Sequence, residues 1–250
     1  MNELWAVTSY FNPLGWRSRL ENYRLFRKHL EVPLIAVEWH PHGEFQLGPG
    51  DADVLAQVQG GDLMWQKERL LNIGMASVPA GVEFVAWLDC DIVFCQRGWP
   101  EAAVRTLKEQ RVVQLFSDVR FLTQRQSREL LDSADPPSRL AGLAAPGSVL
   151  KPSSARLIDR AGTEAFAGPH EGSPGMAWAA RRSTIGGSGL FDRAIIGSGD
   201  FFWVLGALGI AAEWLEARKG RGRYDYLAES SPWTPQVDGN WSLVADQPEP

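Results

Sequence analysis

Two aspartates separated by one residue, Asp89 and Asp91, interrupt the apolar run FVAWLDCDIV (84–93). A carboxylate buried without a partner is strongly destabilising, so acids at this place imply a compensating cation, hydrogen bonds or an abrupt strand end. Oxygens on either side of one residue can converge on a hard divalent cation and, through it, on a diphosphate. A second such pair, Asp51 and Asp53, follows a Gly-Pro-Gly turn and reads as a capping or solvated loop. Only the 89/91 pair terminates an apolar strand. A further acid, Asp200 in GSGDFF (197–202), heads an apolar segment after a glycine-rich loop and suits a helix N-cap.

The elements that must position these acids alternate in type. LWAVTSY (4–10) predicts a strand, apolar residues at helical spacing predict a helix over 17–30, and LIAVEW (34–39) predicts a second strand. HPHGEFQLGPG (40–50) is a loop, and His40 and His42 in it lack companions at zinc-ligand spacing. A short strand at 53–59, a helix at 63–78, a buried strand at 82–88, a helix at 101–110 and a strand at 112–116 follow. The Pro-, Ser-, Ala- and Gly-rich stretch 120–150 reads as a long loop with one or two helical turns. A helix is expected over 154–166, a strand over 175–182 and a buried helix over 200–210. The alternation predicts an α/β fold with a mostly parallel sheet flanked by helices, in which ligands bind beyond the carboxyl ends of the strands. Asp89 and Asp91 are expected at such an end, within a single domain over 1–229 followed by a Pro-rich tail over 230–250.

With 250 residues, 44% of them hydrophobic, the chain can bury a sizeable core, and its net charge of −5 argues against a broad grip on nucleic acid. Cys90 and Cys95 have opposite parity on a strand, which predicts two buried thiols rather than a disulfide and fits a reducing compartment. The start has no leader-like pattern, and the longest apolar stretch, 201–212, is too short to span a bilayer. The expectation is a soluble cytoplasmic protein, with peripheral membrane association compatible.

In the order ELWAVTSYFNP, RLENYRLF, KERLLNIGMASVPAGVEFVAWLDCDIVF, GMAWAARRSTI and GLFDRAIIGSGDFF, roughly residues 3–210 resemble nucleotide-sugar-dependent glycosyltransferases of the GT-A fold. The likeness is to bacterial, family-2-like enzymes of polysaccharide and glycoconjugate assembly. It implies a Rossmann-type sheet with a smaller acceptor-side sheet, a nucleoside diphosphate sugar donor, a glycan or glycolipid acceptor, and Mn²⁺ or Mg²⁺. By the same resemblance Thr8, Ser9 and Tyr10 match the nucleotide-binding exit of the first strand, and Glu38 the acidic end of the second. Lys67 and Asn72 match polar contacts from the preceding helix, Asp89 and Asp91 the metal motif, Trp178 the strand before the acceptor loop, and Gly199 with Asp200 the catalytic loop.

Two features depart from that pattern. The loop has one acid where many relatives have two, and the last histidine is His170, with Lys219, Arg221 and Arg223 where a late metal-ligating histidine would lie. Those basic residues could instead neutralise the departing diphosphate. The resemblance thus implies a metal-assisted, hexosyltransferase-like enzyme, with Asp200 taking the acceptor's proton if the anomeric centre is inverted. Two alternatives stay open, a sugar-phosphate nucleotidyltransferase and a non-catalytic nucleotide- or glycan-binding domain. The single glycine after the first strand in SYFNPLGWRSR speaks against the former.

Overall fold

The computed structural model describes residues 3–116, 119–133, 143–145, 174–186, 189–207, 215–216 and 227. The helix expected over 154–166, His170, the basic residues Lys219, Arg221 and Arg223, and the tail 230–250 lie outside the described residues. In chain order the elements are β1 (Leu4–Phe11), α1 (Arg17–His29), β2 (Leu34–His40), β3 (Val54–Gln59), α2 (Lys67–Ala76), β4 (Phe84–Leu88) and α3 (Trp99–Glu109). They continue with β5 (Val112–Gln114), β6 (Val119–Phe121), α4 (Gln124–Asp132), β7 (Leu143–Ala145), β8 (Ala177–Arg181), α5 (Arg182–Ile185) and α6 (Gly199–Ala207).

Six strands form one sheet in the order β3-β2-β1-β4-β8-β5. β3, β2, β1 and β4 run parallel, and β8 runs antiparallel to both β4 and β5. β6 and β7 form a separate antiparallel pair. This is the mostly parallel α/β sheet that the alternation predicts, accompanied by a smaller one.

Period-two alternation assigns each strand residue to a face. In β4, Phe84, Ala86 and Leu88 pack with Tyr23 and Phe26 of α1 and with Trp99, Ala103 and Leu107 of α3. Val85 and Trp87 point the other way, into a cluster with Leu71 of α2, Trp178 of β8 and Trp203 of α6. Trp87 stacks on Trp178 at 6.3 Å between ring centres and meets Trp203 edge-on at 5.1 Å.

Several expectations are revised. The helix expected over 63–78 begins only at Lys67. Before it, Gly60 and Gly61 both adopt positive φ (88° and 82°), which glycine alone enters without cost, and Leu63, Met64 and Trp65 are exposed. Their helical spacing therefore does not mark a buried face. Within 120–150, α4 forms with a capping box in which Thr123 and Gln126 satisfy each other's backbone amides. The Pro- and Ser-rich composition around it concealed that signal. Both cysteines are free, as expected, but β4 ends at Leu88, so strand parity does not apply to them, and Cys95 is exposed rather than buried. Burial and then the neighbouring Asp91 and Asp89 push the Cys90 thiol up to about 12. Among the described residues no helix is long and apolar enough to cross a membrane.

α2 lies directly on the sheet because of Gly74. A Cβ there would come within 2.4 Å of Val7 Cγ1 and 3.1 Å of Val37 Cγ2. Alanine would gain up to about 1 kcal/mol in helix propensity, but two β-branched side chains anchored in central strands cannot retreat. Gly74→Ala is therefore expected to destabilise the protein by roughly 1–3 kcal/mol despite its better propensity, as read from a lowered denaturation midpoint. An unchanged or raised midpoint would show that α2 can lift away from the sheet.

Candidate active site

The topology brings one end of each crossover to the same edge of the sheet. The chain leaves β3 at its carboxyl end, turns through 60–66, and enters α2 there, so Lys67 and Glu68 occupy the edge at which β4 ends. Asp89 extends the ladder by one residue, its N–H donating to the Met176 carbonyl at 2.7 Å. It shares the parity of Val85 and Trp87, whose side of the sheet is the one α2 covers. β8 runs antiparallel and so begins at this edge, and Asp200 lies one helical turn ahead of Trp203, the residue by which α6 rests on Trp87.

Three elements thus deliver one charged group each. Lys67 Nζ lies 2.5 Å from Asp89 Oδ1 and 2.9 Å from Asp200 Oδ2. Burial works against the ammonium, but the Asp89 and Asp200 carboxylates outweigh it and hold its pKa above the ordinary lysine value. Asp200 is raised by burial and by Asp89 and lowered by Lys67, with a net shift upward. Asp91 is exposed beside this group, and partial desolvation together with the Asp89 charge raises it. Among the described residues, the three aspartates when ionised face the bonded Lys67 ammonium and the Arg19 guanidinium that acts on Asp91, which leaves an excess of one negative charge and favours cations. Asp200 sits inside the first turn of α6 rather than ahead of it, and its carboxylate goes to Lys67, so it is not the N-cap that the sequence allows.

Backbone conformation around the site is unusual. Met176 and Ser198 are the two non-glycine residues with positive φ among those described (74° and 76°). One supplies the carbonyl that holds Asp89, and the other precedes Gly199 and Asp200. Such conformations cost on the order of 1–3 kcal/mol each and gather where function requires them. Gly175 leaves room for both carboxylates, since a Cβ on it would lie 3.0 Å from Asp200 Oδ2 and 3.9 Å from Asp89 Oδ2.

The remaining residues singled out by the resemblance take the following places. Thr8 is fully buried and donates to the Leu88 carbonyl at 2.7 Å, tying β1 to the end of β4. Ser9 is half-buried in β1. Tyr10 is buried, donates to Gln46 Oε1 at 2.8 Å, accepts from Asn12, and has its pKa pushed up to about 12 by burial. Glu38 accepts from the amides of Gln46 and Leu47 at 2.6 and 3.1 Å and from Gln57, pinning the 46–47 loop. Asn72 exchanges hydrogen bonds with the Leu190 backbone in both directions, at 3.0 and 2.7 Å. Trp178 is buried and donates to the Pro174 carbonyl at 2.8 Å. Gly199 provides space, because a Cβ on it would lie 2.0 Å from Glu68 Cδ. As expected, the other aspartate pair braces a loop: Asp51 accepts from the Gly48 amide, while Asp53 accepts from Leu34 N and pairs with Arg27.

Sequence reasoning missed Glu68. Flanked by Lys67 and Arg69 in WQKERLLN, it reads as part of a solvated helix face, yet it is 4% exposed. The available signal was its place three residues before the apolar Leu71 on the sheet-facing side of α2.

No protein-family model matches the sequence, and no curated protein is similar to it. Several solved structures are. One from Desulfovibrio desulfuricans G20, described as a nucleotide-diphospho-sugar transferase, is 18% identical over 46% of this chain and 58% of that one, with a TM-score of 0.31. A mannosyltransferase from Pyrobaculum calidifontis in complex with GDP-Man and Mn²⁺ is 16% identical over 84% of this chain and 52% of that one, with a TM-score of 0.41. A 4-diphosphocytidyl-2C-methyl-D-erythritol synthase from Anaerococcus prevotii DSM 20548 is 11% identical over 74% of this chain and 72% of that one, with a TM-score of 0.35. The chain spans 58% and 52% of the lengths of the first two.

The bridge itself makes a prediction. Lys67→Met leaves Asp89 and Asp200 facing each other without a cation, at a cost of about 2 kcal/mol, between the values for exposed and fully buried pairs. Removing the ammonium takes away what lowers the already raised Asp200 carboxyl, so the variant should recover more stability than the parent on acidification from about pH 8 to about pH 5. Melting curves at both pH values check this, and a variant as stable as the parent at the higher pH would remove the bridge from its central place.

Proposed function

We propose that the chain is a nucleotide-sugar-dependent glycosyltransferase that moves a sugar from a nucleoside diphosphate sugar to a hydroxyl of a glycan or glycolipid acceptor. The observation that carries the reading is the convergence of Asp89, Lys67 and Asp200, from β4, α2 and α6, at the carboxyl edge of the parallel sheet. That edge is where open α/β sheets bind ligands. The order of the motifs along the chain supports the same reading.

A diphosphate brought to an edge with excess negative charge needs a cation. Among the described residues no three potential ligands cluster, but Mg²⁺-type sites use one or two carboxylates and complete their shell with phosphate and water. The hard-oxygen donor set of Asp89 and the exposed Asp91 fits such an ion. Mn²⁺ or Mg²⁺ held there would neutralise the leaving diphosphate. The chain's own groups supply the rest. Lys67 holds the Asp89 and Asp200 carboxylates in place, and the first turn of α6 adds its positive dipole end beside Asp200. Asp200 is the base that takes the acceptor hydroxyl's proton as the new glycosidic bond forms. Tyr10 and Glu38 shape the loop at 46–47 beside the ends of β1 and β2, and Thr8 ties β1 to the end of β4.

Thermal-shift titration with UDP and GDP, with and without Mn²⁺, tests the donor side. Stabilisation by a nucleoside diphosphate that is larger with Mn²⁺, and loss of that increment in Asp91→Ala, is the expected result. A response in Asp91→Ala equal to the parent's would remove the metal assignment, and release of pyrophosphate from a nucleoside triphosphate and a sugar phosphate would replace the reading by nucleotidyl transfer. On the acceptor side, Asp200→Asn cannot accept a proton and is expected to slow transfer by about 10²–10⁴-fold while sparing donor binding. Near-normal transfer would place the base elsewhere.

A further inference from the structure

Glu68 is a buried carboxyl that the reading above leaves without a task. It extends from the first turn of α2 over Gly199, whose missing side chain creates its place, with Glu68 Oε1 2.2 Å from where a Cβ of Gly199 would be. The Trp65 side chain hydrogen-bonds the carboxyl, yet Oε1 has no hydrogen-bond partner among the described residues. The charged groups that act on it are Asp200 of α6, which repels its charge, and Lys67 of its own helix, which attracts it. Lys67, however, directs its ammonium to Asp89 and Asp200. Two neighbouring acids therefore have unequal surroundings. Asp200 has an ammonium at 2.9 Å, whereas Glu68 has 4% exposure and an oxygen without a partner among the described residues.

We propose that Glu68 and Asp200 form a carboxyl pair divided between two elements, in which Glu68 is the positioning residue that holds the proton and leaves Asp200 as the charged member. Paired acids whose environments separate their affinities for the proton are the way proteins assign one to the acid state and the other to the base state. Burial first, and the Asp200 charge next, push Glu68 up to about 7, while Asp200, although also raised by burial, is lowered by the Lys67 ammonium bonded to it. Its part in sugar transfer rests on the reading above, in which Asp200 is the base, but the pairing itself does not.

The test uses the full chain without any nucleotide or sugar, so its outcome is separate from that of the donor and transfer experiments. A carboxyl raised in the folded state adds stability that is fully present below its ordinary pKa and is lost as pH rises to the folded value. The melting temperature of the parent should fall by several degrees between about pH 5 and about pH 8, and Glu68→Gln, which keeps the shape without the titration, should remove most of that fall. The same pair of measurements made in an Asp200→Asn background isolates the coupling. There the fall that Glu68→Gln removes should shift to lower pH by roughly one unit, because the repelling charge is gone. The pairing is overturned if Glu68→Gln retains the parent's pH profile, or if Asp200→Asn leaves the midpoint of the Glu68-dependent fall in place.

Discussion

One lysine ammonium between two carboxylates organises this edge of the molecule. Lys67 meets Asp89 and Asp200 at 2.5 and 2.9 Å, and each partner belongs to a different element. Like charges brought this close in a partly desolvated setting repel strongly, so the strand end, the helix start and the α6 turn can share one edge only with a cation among them. The same arrangement limits what the site can take up. Among the described residues its bonded ammonium is already engaged and Asp91 adds a negative charge that Arg19 only partly offsets, so an anionic ligand there must arrive with positive charge of its own or meet it from elsewhere in the chain.

The scaffold beneath the bridge explains its geometry. Trp87 touches both Trp178 and Trp203, so the ring that ends the buried face of β4 also sets the position of β8 and α6. Gly74 seats α2 on β1 and β2, which fixes how far Lys67 can reach. Glycines at 175 and 199 leave space where the carboxyl groups of Asp200 and Glu68 lie, and Met176 and Ser198 adopt left-handed backbone conformations immediately beside them. Close packing below the edge and backbone strain along it belong to one design, in which a rigid sheet holds a charged group that would otherwise spread apart.

Much of this was legible along the chain. Apolar runs of strand length separated by helical periodicity specify an α/β sheet, because a buried parallel strand and an amphipathic helix leave different spacings in the sequence. The position of Asp89 and Asp91 at a strand end follows from the same local rules, as does the role of Asp51 in bracing its turn, whereas Asp53 reaches the start of β2 and Arg27 of α1. Polar residues in β1 and β2 match nucleotide contacts by resemblance, and the structure gives Thr8, Tyr10 and Glu38 partners within the protein at the Leu88 carbonyl, Gln46 and the 46–47 amides. Nothing local distinguishes a buried polar side chain satisfied by the protein from one that waits for a ligand, since both are the same residue types at a strand's end.

What the sequence determined by itself was therefore the succession of elements, the buried character of the strands and the identity of the acids at their ends, all of which depend on neighbours within a few residues. What only the tertiary structure decided was which charges meet. Lys67 lies 22 residues from Asp89 and 133 from Asp200 in the chain, and Glu68 looks like an ordinary exposed helix acid until α6 covers it. Charge pairing acts through space and over a few ångströms, whereas the sequence records order along the backbone. The cluster exists because the β3–α2–β4 crossover brings Lys67 and Asp89 to one edge and the segment after the antiparallel β8 brings Asp200 back to it, and its strength comes from the burial that this return produces.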